Sequence, residues 1–137
     1  MSAADLAADA WMVARLRGDA TLMALLTGGF YLEPAPPDAG PIVGTYTRIP
    51  VPDVNSQGHT RILTRGLWDV LVWFDNHADQ DDVTAAVDRI DTLLTHTATT
   101  GLIVDVWREA PTGRSPDRDG DRTWRCVGGR YRFDVHP

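Results

Sequence analysis

The stretch Leu67-Trp68-Asp69-Val70-Leu71-Val72-Trp73-Phe74 places apolar side chains on both sides of an extended chain. Trp68, Val70, Val72 and Phe74 alternate on one face; Leu67, Asp69, Leu71 and Trp73 alternate on the other. A strand with one wet face would alternate apolar with polar, so this one needs cover on both sides. The fold is therefore expected to be built around a central strand spanning Arg61–Asp75.

The remaining chain falls into place around it. Ser2 can cap a helix in which Leu6, Ala10, Val13 and Leu16 recur at helical spacing until Gly18. Asp19 caps a shorter helix striped by Leu22, Leu25 and Leu26 and stopped by Gly28-Gly29. Residues Phe30–Pro41 hold four prolines and read as an extended connection into a strand at Ile42–Ile49, with Pro50–Thr60 as loop. Asp79 caps a third helix with Asp81 and Asp82 in its first turn and Val83, Val87, Ile90 and Leu94 as its apolar stripe, running to about His96. A strand at Leu102–Glu109, a loop at Ala110–Arg122 and a last strand at Trp124–Val135 form a long hairpin whose tip reaches past the body.

This order predicts an α+β fold: a mainly antiparallel sheet of about four strands, helices packed on one face, and a long C-terminal hairpin. A sheet whose halves curve separately is the alternative. At 137 residues the chain is expected to be one domain, 1–137, large enough to bury about two-thirds of its unfolded surface.

Charge narrows the function. The 13 basic residues are all arginine, against 19 acids, for a net charge of −6. The imbalance is uneven: residues 1–107 are strongly acidic, whereas 108–132 carry seven arginines and four acids. A general nucleic-acid binder needs many cations on one face, which this balance opposes. No apolar run approaches the length of a membrane span, and the N-terminus lacks a signal-peptide pattern, so no membrane association and a cytosolic origin are expected. The lone Cys126 cannot form an internal disulfide and reads as an inert buried thiol.

The residues give little sign of catalysis. Ser2, Ser56 and Ser115 lie outside any nucleophile elbow, and His59, His77, His96 and His136 are far apart, without metalloprotease spacing. Asp75, His77 and Asp79 alternate like a calcium loop, but Gln80 and Ala86 stand where glycine and a bidentate acid belong; Asp117, Asp119 and Asp121 are interrupted by Arg118 and Arg122. No glycine-rich loop suits a phosphate. The expectation is no catalytic residue, no cofactor and no metal. Asp69 and Asp105, inside apolar strands, are either general acid–base groups of a small enzyme or structural partners of an arginine on a neighbouring strand, and the second reading is preferred.

The basic arm remains. Arg108, Arg114, Arg118, Arg122 and Arg125 alternate with Glu109, Asp117, Asp119 and Asp121, a pattern suited to a salt-bridged protein contact. The candidate interface is Arg108, Arg114, Arg118, Asp119, Arg122 and Arg125; a solvated hairpin is the alternative. An acidic body meeting the basic arm of the next copy is a head-to-tail contact, and such contacts can close into rings.

Several segments, in order, resemble the tail completion or tail terminator (tail-to-head joining) proteins of long-tailed bacteriophages. They are Asp19-Ala20-Thr21-Leu22-Met23-Ala24-Leu25-Leu26-Thr27-Gly28-Gly29, the proline-rich lead into Pro41-Ile42-Val43-Gly44-Thr45-Tyr46, Trp68–Trp73 followed by the Asp79–Leu94 helix, and Tyr131-Arg132-Phe133-Asp134-Val135. The resemblance implies a structural subunit of the virion neck, assembled in the host cytoplasm. It would form a homohexameric ring that caps the tail tube and meets the head-completion or connector protein. DNA would pass through the lumen without specific binding, and no catalytic residues carry over. Another neck or minor tail component, such as a head-completion protein, is the nearest alternative; a non-viral dimeric binding module is more distant.

Overall fold

The computed structural model describes residues 3–51, 54–55, 61–95 and 103–135. In chain order these form α1 (Ala3–Arg17), α2 (Ala20–Leu25), β1 (Phe30–Leu32), β2 (Ile42–Pro50), β3 (Val54–Asn55), β4 (Arg61–Phe74), α3 (Gln80–Leu94), β5 (Ile103–Thr112), β6 (Asp117–Asp119) and β7 (Arg122–Val135). The main ladder runs β1-β2-β4-β7-β5, with β3 attached to β4 and β6 to β7.

The fold is α+β, and β4 is central, flanked by β2 and β7. All pairs are antiparallel except β1 with β2. The expected four strands become seven. Of the extra three, β1 is a three-residue strand inside the segment expected to be a plain connection, where Phe30 pairs with Gly44. The other two, β3 and β6, are two- and three-residue pieces of the expected loops. Strands this short are held by a neighbour already in place, so no alternation of their own announces them.

The two faces of β4 are covered differently. Trp68, Val70, Val72 and Phe74 join one core with Ala8, Met12 and Leu16 of α1, Leu22 of α2, Val83, Ala86, Ile90 and Leu94 of α3, and Tyr131, Phe133 and Val135 of β7. Trp68 is fully buried and stacks on Phe133 with ring centroids 4.0 Å apart. On the other face Leu67, Asp69 and Leu71 are also buried, and at one end of it Val43, Thr45 and Trp73 line a cleft together with the proline-rich Pro34–Pro37.

Two helices obey their caps. The Asp19 carboxylate accepts from the Leu22 amide and Asp79 from the Asp81 amide, as the sequence indicates. The Arg89 guanidinium and then the Leu22 amide lower the Asp19 carboxyl to about 2. In α3, Val83, Ile90 and Leu94 of the expected stripe are buried, Val87 packs partly buried against the same core, and Ala86 joins them. The helix ends at Leu94; His96 lies outside the described residues.

The expected stripe of α1 is corrected more deeply. Leu6 is 59% exposed and Ala10 is exposed, while Ala8, Met12 and Leu16 are buried. The cause is polar. Arg48 of β2 reaches Asp5 (Nη1 to Oδ1, 2.8 Å) and Asp9, and the Trp68 indole N–H donates to Asp9 at 2.8 Å. Satisfying these donors turns the two aspartates inward and rotates the helix away from the most apolar choice.

Candidate protein interface

The C-terminal hairpin is two structures in one. Its inner half, Val106 with Tyr131, Phe133 and Val135, lies in the helix-covered core. Its outer half bends at a bulge between Arg108 and Ala110, opposite Tyr131 and Arg130. Close packing accompanies the bend: a Cβ on Gly128 would stand 2.0 Å from the Val70 carbonyl oxygen, so only glycine lets β7 approach β4 there. Beyond Phe74, β7 continues through Arg122–Trp124 to pair with β6, closed by a turn in which Gly120 has φ +63.

Arginines fix this outer half to the body. The Arg130 guanidinium grips Asp69 twice (Nε to Oδ1, 2.8 Å; Nη2 to Oδ2, 3.0 Å), and Arg114 reaches Asp69 Oδ2 at 3.2 Å and Glu33 at 3.8 Å. Thr47 also donates to Glu33. Burial pushes the Asp69 carboxyl up, but Arg130 and then Arg114 outweigh it and hold the group below the usual aspartate range. Arg122 donates to Asp75 (Nε to Oδ2, 3.0 Å) and to the Ala39 carbonyl (3.0 Å), with its guanidinium 4.3 Å from the Trp124 ring centre. The hairpin is thus tied across the end of the sheet to the proline-rich segment. Between them lies a cleft of about 560 Å³ lined in part by Pro34, Pro36, Trp73, Trp124 and Arg118.

The six residues proposed from sequence therefore separate. Arg114 and Arg122 are engaged within the chain. Arg108, Arg118 and Arg125 are exposed, and among the described residues none of the three pairs with a carboxylate. Arg108 lies against Gly129, and Arg125 stacks 5.2 Å from the Phe74 ring centre. The Asp119 side chain lies outside the described residues. Sequence reasoning missed Asp75, Glu33 and Arg130 as anchors. Asp69 meets an arginine of a neighbouring strand, as its place in an apolar strand predicts, whereas Asp75, one residue past the end of β4, offered only its polarity after that apolar run as a signal.

The chemistry at the aspartates is that of anchors. Asp69 faces two guanidinium groups. Asp105 is exposed and accepts from the Val106 amide. The Asp75 carboxylate also accepts from the His77 amide at 2.9 Å. Among the described residues no cluster of three His, Cys, Asp or Glu is placed to hold a metal, and no helix is long and apolar enough to cross a membrane. Cys126 is half-buried rather than fully buried. Burial raises its thiol pKa, opposed by its hydrogen bond with the Arg114 backbone.

No family model matches the chain, and no curated protein matches it in sequence. Among solved structures it is similar to a chain in the virion of a native gene transfer agent (GTA) particle, at 20% identity and a TM-score of 0.61, with 92% of each chain covered. Likeness over nearly the full length of both chains, at so low an identity, shows a shared fold.

Proposed function

We propose that this protein is a structural virion subunit of the phage neck, a ring that terminates the tail tube and joins the tail to the head connector while DNA passes through. The observation that carries this reading is the fold shared, over 92% of each chain, with a chain of a virion particle. Two others support it. The outer hairpin is held by Arg114, Arg122 and Arg130 yet presents arginines that have no carboxylate partner among the described residues, as a docking element would. The net charge of −6 suits a conduit whose wall repels the genome instead of holding it. An architectural role is favoured over a catalytic one, since Asp69, buried and ion-paired with two arginines, has the surroundings of a structural anchor. Assembly takes place in the host cytoplasm, and the partners are copies of the chain, the tail tube protein and the head-completion protein.

The test is addition of the purified chain to tail tubes that lack a terminator. Rings seated at one end of each tube, and tubes that then join heads, are the expected result. Tubes that stay bare and unjoined would end this reading.

A further inference from the structure

Helices cover only part of the sheet. On the helix side, beyond the start of α3, Arg108, Pro111, Arg125 and Val127 are exposed around Gly129, and Val127 is 43% exposed within a strand. A Cβ on Gly129 would lie 2.9 Å from Arg108 Nε, so the missing side chain is what lets Arg108 lie flat there. The result is an apolar centre flanked by two guanidinium groups without carboxylate partners among the described residues.

A second copy cannot meet this patch with the same patch, because a twofold contact would crowd four guanidinium groups together. The outer face of α3 is complementary. Asp81, Thr84, Ala85 and Asp88 are all exposed there, small at the centre and acidic at both ends. Neither the Asp81 nor the Asp88 carboxylate pairs with an arginine among the described residues, since the helix's own Arg89 is bound to Asp19 (Nη2 to Oδ1, 2.7 Å). The dimensions agree. Seven residues of helix set Asp81 and Asp88 about 10 Å apart, and Arg108, lying over Gly129, and Arg125 are separated by roughly four strand residues, about 13 Å.

We propose that the patch of Arg108, Pro111, Arg125 and Val127 docks on the α3 face of a second copy, placing Arg108 and Arg125 against Asp81 and Asp88 in a head-to-tail contact. This rests on the ring reading and names the contact that would build it. The alternative edge, β5, is poorly suited to strand pairing: two bulges and Pro111 interrupt it.

The test is charge exchange read by native mass and sedimentation. R108E/R125E and D81R/D88R should each remain folded and lose self-association by about 100-fold. A 1:1 mixture of the two should reassemble, which no misfolded variant could do, and so should the fourfold variant. Wild-type oligomers unaffected by either reversal, or a mixture that stays monomeric, would overturn the contact while leaving the ring intact. A wild-type chain that remains monomeric with and without tail tube would overturn the ring and the contact together.

Discussion

The half of the sheet under the helices and the half beyond them use the same residue types for opposite ends. Under the helices, charged groups close on one another: Arg48 meets Asp5 and Asp9, Trp68 donates to Asp9, and the Tyr131 hydroxyl donates to Asp91 at 3.0 Å. Beyond them, Arg114, Arg122 and Arg130 tie the hairpin down, but Arg108, Arg118 and Arg125 have no carboxylate partner among the described residues. The difference separates charges that specify the fold from charges available to another surface. A buried polar group without its partner is costly, so the inner set is determined by the chain itself. Exposed guanidinium groups remain solvated and cost little, so the outer set can be reserved for assembly.

This contrast can be broken most severely from the inside. Trp68→Ala empties a fully buried site stacked on Phe133 and removes one of the donors to Asp9, leaving Arg48 to hold it, for an expected loss of about 4 kcal/mol in chemical denaturation. Asp69→Asn removes the charge between Arg130 and Arg114. The two arginines stay partly solvated, so the loss is about 2 kcal/mol. Its pH signature has a definite sign. The folded carboxyl titrates below its unfolded value, so its contribution is complete above the usual aspartate range and is lost as pH falls through the folded value. Acid melts of Asp69→Asn should therefore show a shallower decline than wild type, and equal slopes would contradict the anchoring role. Asp79→Ala, deleting the α3 cap, is expected to cost about 1 kcal/mol. Smallest is R118S/R125S, within about 0.5 kcal/mol of wild type in stability, with self-association weakened by less than the roughly 100-fold expected of R108E/R125E. If that pair destabilised the monomer as much as Asp69→Asn, the distinction between inner and outer charges would fail.

Much of the scaffold was legible because its signals are local. The double-faced apolar run at Trp68–Phe74, the strand at Ile42–Ile49 and the caps at Asp19 and Asp79 each depend on a few adjacent residues, and each appears where the sequence puts it. What was hidden depends on distant partners. The inward face of α1 follows from Arg48 and Trp68, far along the chain, which draw Asp5 and Asp9 inside and leave Leu6 in solvent. Likewise, β1 exists because Phe30 finds Gly44, where a Cβ would come within 2.6 Å of the Phe30 ring. The arm was recognisable as basic, but its division into anchors and arginines with no carboxylate partner among the described residues needed the positions of Asp69, Asp75 and Glu33 in space.

The central claim, a ring subunit with a docking hairpin, is tested most directly by negative-stain microscopy with native mass across a concentration series of the purified chain, alone and with tail tube protein. The expected result is closed rings of one fixed subunit number, with a central hole wide enough for duplex DNA, either in solution or on the tube end. A monomer under every condition, or open filaments of no fixed length, would contradict it.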